Sequence, residues 1–449
     1  MVVQVGRNIR IISKYAVQEQ LTTMDVLHCG GVAGGPAVFL RRGFFVIGVV
    51  LVLSLCLSQK ALCAAEVGEG FDVNGRPGPW GELEISYIQI SPPMDIVPEL
   101  RVIARGRMWH FPEWDRENLA DFISASPLSE DMKGAFIKKI EADPQTGGVQ
   151  ITPTTEEVAG LSAEARAYIY NVLSHYKINK AHDKAHRYAS PSLDEWMRGV
   201  QLSAGARSTM EKLLYRNGNM LFFVDVPILM DSISSLAEKQ DVLRALGREK
   251  TMLIKLRLGD DSDVDALTRY WGEGGRASQV HPLLESVKER VGERTLDIVH
   301  LLPSFVRERV YTYPDIREYS SEEVTPQDCH WTSLNFFNRE ADNNYGNAAK
   351  VKECIESQYE TVESKELRLG DLLLYMEDRH LIHSAVYIAS DIVFTKNGTN
   401  YSSPWMFMYM SDMEQYYPQK EPLKVLCLRS RGRLLTRRQV NERQFPSTN

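Results

Sequence analysis

Cysteine is scarce: six in 449 residues, too few for a disulfide-dense scaffold. Internal repeats and long low-complexity segments are absent, which removes solenoids and fibrous folds. A run long enough to cross a bilayer is also lacking. The uncharged stretch Phe44 to Ser58 has fifteen residues, short of the ~20 that a spanning helix needs. Net positive charge is missing from the body of the chain. Residues 1–65 hold six Lys/Arg against two Asp/Glu, whereas the remaining 384 hold 46 against 57. An acidic body exerts no long-range pull on phosphates, so nucleic acid is not an expected partner. What is present is a globular composition, 43% hydrophobic and 25% charged.

Arg41-Arg42, the apolar run 44–58 and the small residues Cys63-Ala64-Ala65 together form the three parts of a secretory signal peptide. Residues 1–65 are therefore expected to be a signal with a long leading region, with Met24 as an alternative start and Glu66 as the first mature residue. The localisation expected is periplasmic or secreted, the alternative being an anchor through residues 44–58. Cys329, Cys354 and Cys427 then remain, an odd number that leaves at least one thiol free or bridged to another molecule.

Residues 66–81 read as an irregular start, and Leu83 to Ile90 as a strand. From about 115 to 300 the periodicity is mostly helical. Ser162 opens one helix, and Ser262 with Asp265 resembles a capping box for another that runs through Trp271. Met220–Val226 and Thr251–Leu258 read as strands. The expectation is a mostly helical α+β domain over 66–302, of unassigned role. Past 303 come strand-like runs at 371–376, 382–389, 392–396, 405–410 and 423–429, with gaps short enough for antiparallel neighbours. Ser411 and Glu414 suggest a capped helix before the last strand. A basic tail covers 431–449.

Chemistry concentrates in Thr325-Pro326-Gln327-Asp328-Cys329. Thr325 as cap, Pro326 in first position and Asp328 as the box acid put Cys329 in a first helical turn, where the dipole favours a thiolate. His383 lies on a strand pattern 54 residues later, a rigid support for an imidazole. A Cys–His pair needs a third group to orient the ring. Alternation puts Val393, Thr395 and Asn397 on one face of the next strand, and Asn397 offers an amide oxygen. A competing set, His175, His182 and His186, would share a helix face at zinc-binding spacing. It carries Asp183 where a metalloprotease has Glu, and a solvated polar face is the preferred reading.

Asp328-Cys329, then Leu369-Gly370-Asp371-Leu372 entering a strand, then His383 with Val386-Tyr387-Ile388, resemble the NlpC family of papain-like cysteine peptidases and amidases over roughly 304–430. The resemblance implies a papain-like α+β domain at 303–430, with catalytic Cys329, His383 and a third residue near Thr395–Asn397, for which Asn397 has suitable chemistry. It implies hydrolysis of amide or peptide bonds, in bacterial cell-wall stem peptides for many members, without metal or organic cofactor. The family has Ser-Gly after the cysteine, where this chain has His330-Trp331, and a Tyr upstream, for which Tyr311, Tyr313 and Tyr319 are candidates. Acyl transfer on the same thiol, and an inactive binding or structural protein on a retained fold, are the alternatives.

Overall fold

The computed structural model describes residues 25–26, 73–74, 77–94, 108–315, 325–399, 401–417 and 422–432. The apolar run 44–58, the expected cleavage point, Tyr319 and the tail beyond 432 lie outside the described residues. No helix among the described residues is long and apolar enough to cross a membrane.

The chain is a mixed α+β protein built around antiparallel sheets. In strand β1 (Glu82–Ile90), Leu83 and Ile85 face the core, and Glu84 between them is buried too, paired with Arg257. Helix α1 (Ala163–Ser174) starts on Ser162, whose hydroxyl accepts the Ala165 N–H. Strands β2 (His186–Tyr188) and β3 (Met220–Phe223) pair antiparallel. The apolar run after Met220 was expected to stay extended to Val226, but a helix takes over at Val226–Ser232. Pro227 explains this: it has no N–H for a ladder and a φ suited to a first helical turn. Strand β4 (Glu249–Arg257) pairs with β1 along its whole length, from Glu249↔Ile90 to Arg257↔Glu82. Val73–Asn74, inside the segment expected to be irregular, adds to the other edge of β1. Helix α2 (Val264–Trp271) is capped by Asp263, which accepts the Ala266 N–H, and not by Ser262 as expected.

The C-terminal half opens with helix α3 (Cys329–Leu334) and continues with β5 (Tyr359–Thr361), β6 (Leu372–Glu377), β7 (His380–Ala389), β8 (Ile392–Lys396) and β9 (Trp405–Tyr409). Helix α4 (Met410–Tyr416) and strand β10 (Lys424–Ser430) follow. The sheet order is β5-β10-β6-β7-β8-β9 with every neighbour antiparallel, and Asp25–Val26 adds in parallel beside His380–Leu381. Helix α4 begins one residue before the expected Ser411 cap and has no side-chain cap, because the chain turns straight out of β9.

Both faces of this sheet are covered, so its strands read as continuous apolar runs. Leu373, Tyr375, Ala385, Val393 and Met408 join one core with Trp109, Ile169 and Phe222. Val386, Phe394 and Phe407 join another with Ile254, Trp271 and Trp331. Both cores run across the boundary expected near 302. Polar links cross it too: Tyr270 donates to the Ile388 carbonyl at 2.7 Å, and Thr251 to that of Phe407 at 2.9 Å.

Candidate active site

Helix α3 begins at Cys329 itself. Asp328, not Thr325, is the cap: its carboxylate accepts the Trp331 N–H at 2.8 Å. A carboxylate is a stronger acceptor than a hydroxyl, so the helix starts three residues later than a Thr325 cap implied. Cys329 still occupies the first turn, among N–H groups that favour an anion. Its thiol is unbridged and fully buried.

The residues after the cysteine fasten α3 to the sheet. His330 Nδ1 lies 3.0 Å from Ser384 Oγ, which donates to Ser333 Oγ at 3.1 Å. Trp405 Nε1 donates to Thr332 Oγ1 at 3.0 Å. Trp331 packs on Phe305 and Trp405 and donates to Asn343 at 3.2 Å. His330-Trp331 are therefore packing residues, both buried.

His383 follows from the strand alternation. Ser384 turns to α3, so His383 turns the other way, opposite Tyr375 in the ladder. The β7–β8 pairing reaches Val386↔Phe394 and goes no further toward His383. In that opening, His383 Nε2 lies 2.9 Å from Thr395 Oγ1. Tyr417 OH lies 2.7 Å from Nδ1 and 3.4 Å from Asn397 Oδ1. The Thr395 hydroxyl donates to the Ser384 carbonyl at 3.5 Å. With that proton spent on Ser384, the hydrogen of the neutral ring is assigned to Nε2, not observed there. Nδ1 is then the basic nitrogen, and Tyr417 donates to it. Burial holds the His383 pKa well below its ordinary value; the nearby His330 adds to this and Asp328 opposes it.

No two members of the expected trio hydrogen-bond each other directly. His383 has two hydroxyl partners, Thr395 and Tyr417, and neither ring nitrogen bonds the Cys329 sulfur. Asn397 reaches His383 only through Tyr417, while its own amide donates to Met408 Sδ at 3.2 Å. Thr395, on the same strand face as Asn397, is the direct partner. Alternation already grouped the two, but the amide oxygen drew attention from the hydroxyl. Tyr417 carried no signal, lying just past α4 in no periodic element. Tyr311 and Tyr313 point elsewhere, donating to the carbonyls of Met252 at 2.7 Å and Ile90 at 3.3 Å.

The other thiols are unbridged and unsuited to attack. Burial raises the pKa of Cys354, and pushes that of Cys427 up to about 12. His182 and His186 do not share a helix face: His182 sits in a four-residue helix, Lys180–Asp183, and His186 begins β2. Among the described residues, no group of three or more His, Cys, Asp or Glu could hold a metal ion.

Compared with known protein families, curated proteins and solved structures, the chain finds no match.

Proposed function

We propose that residues 303–430 act as a thiol hydrolase on amide or peptide bonds, on an NlpC-like plan. Cys329 is the nucleophile and His383 its base. What carries this reading is an unbridged thiol at the first position of a capped helix, fastened to the strand residue adjacent to His383. In the structure His383 turns to the sheet face away from α3, so acting as base requires its ring to leave Thr395 and Tyr417 and come within reach of Cys329; Nδ1 then takes the thiol proton and the thiolate attacks the carbonyl carbon. The C–N bond breaks as Nδ1–H protonates the leaving amine, and water then hydrolyses the thioester. Cell-wall stem peptides are the first substrates to try.

A second reading, an inactive fold that binds or supports, is favoured by the full burial of Cys329 and by the hydroxyls on both nitrogens of His383. Alkylation separates the two. Under the catalytic reading, Cys329 labels faster than Cys354 and Cys427, and Cys329→Ala and His383→Ala each abolish stem-peptide cleavage. If Cys329 labels no faster than the other two in folded protein, the thiol mechanism is wrong.

A further inference from the structure

Away from Cys329, a cavity of about 650 Å³ opens between α1, the β2–β3 sheet and the end of α4. That size suits one small organic molecule. Its walls are flat. Phe122 and Tyr168 stack with centroids 4.7 Å apart and planes 17° apart, and Tyr215 and Phe222 stack at 5.4 Å and 26°. One wall residue is polar and unsatisfied. His182 is 4% exposed, its ring sits edge-on to Tyr170 at 4.5 Å, and its buried Nε2 has no hydrogen-bond partner. Leaving such a buried group without a partner is costly. Natural proteins keep that cost chiefly where the group has a use.

The charged lining does not ask for an anion: Glu164 and Arg216 are exposed and of opposite sign, and Arg216 donates to the Pro191 carbonyl. Arg187 donates to the carbonyls of Ala185, Asp183 and Tyr416, and its guanidinium lies over the rings of Phe222 and Tyr416. Desolvation lowers the His182 pKa to about 3, so its ring is neutral at pH 7 and holds one donor and one acceptor nitrogen. The match is a neutral ring that can both give and take a hydrogen bond.

We propose that this cavity is a binding site for a small, neutral, planar aromatic molecule bearing a hydroxyl, held between the aromatic walls and hydrogen-bonded to His182. The site is separate from the thiol, and the proposal stands whether or not the thiol is catalytic.

Phenol and toluene are the probes, titrated into the full chain by ligand-observed NMR. His182→Phe keeps the ring volume and removes the hydrogen bond. It is expected to weaken phenol about tenfold, to leave toluene within twofold, and to melt no lower than wild type, because the unmade bond is gone. A histidine with a purely structural role would lower the melting temperature and treat both probes alike. Ala167→Trp, filling the cavity from half-buried α1, is expected to remove both probes. No phenol binding at millimolar concentration in wild type would mean a water-filled cavity only and overturns the proposal. So does phenol binding that survives both substitutions. If His182→Phe fails to fold, Ala167→Trp with the wild-type titration decides alone.

Discussion

At the scale of single residues, Thr395 fixes the state of His383. Its hydroxyl is the acceptor for the ring hydrogen assigned to Nε2, and both residues are fully buried. Thr395→Val keeps the shape and strands that N–H, so it should destabilise the fold by about 1–3 kcal/mol. Thr395→Ser should restore most of the loss. Asn397→Ala should cost less, since Asn397 touches the ring only through Tyr417. Urea denaturation of the three variants checks the order, and an Asn397→Ala loss exceeding that of Thr395→Val would refute it. The sequence narrowed the orienting group to one strand face and favoured Asn397; the member that bonds the ring directly in the structure is Thr395. An amide is the better-known partner, but the position opposite the ring went to the hydroxyl. Tyr417 was beyond reach, because a contact across 34 residues between unlike elements leaves no local pattern.

At the scale of elements, long strands were legible because they are buried on both faces and bounded by turn residues. The boundaries of 382–389, 392–396 and 423–429 came within two residues of those observed. Helix starts moved wherever a carboxylate competed with a hydroxyl, as Asp328 and Asp263 both show. Three-residue strands such as Trp109–Phe111 were invisible, since their extension is imposed by the sheet they join. The Leu369-Gly370-Asp371 turn has a structural meaning that the motif alone did not convey. Gly370 has φ of 85°, a value that favours glycine. Asp371 accepts the Arg368 N–H at 2.8 Å and pairs with Arg429 through two bonds of 2.9 and 2.6 Å, joining the entry of β6 to β10. Both side chains are buried. Asp371→Ala would leave Arg429 as an uncompensated buried charge, costing about 3–5 kcal/mol by denaturant titration. Replacing the pair together, Asp371→Leu with Arg429→Met, should cost much less. Equal losses in the single and double variants would show that the pair does not act as a unit.

At the scale of the whole molecule, Glu249 sits where the two halves meet. It belongs to β4, yet it accepts the hydroxyl of Tyr416 from α4 at 2.8 Å, while Arg187 of β2 lies over the same Tyr416 ring at 4.4 Å. Burial pushes the Glu249 carboxyl up to about 7, and the Tyr416 bond and the Arg187 charge only partly offset this. The unfolded chain releases that proton near pH 4.3. Between there and pH 7 the native state binds more protons, so this group's contribution to stability is full at low pH and falls as pH rises through the window. Two histidines act in the opposite sense. Burial lowers His182 to about 3 and His186 to about 4, and their contributions are lost as pH falls below the unfolded value near 6.5. The raw profile mixes the two trends, so the useful measurement is a difference. Glu249→Gln keeps an acceptor for Tyr416 and cannot ionise. Melting temperatures of wild type and Glu249→Gln should converge near pH 4.5, and wild type should fall progressively below the variant up to about pH 7, with a constant gap beyond. Parallel curves across that range would mean that the carboxyl is solvated and that the seam between the halves is open to water.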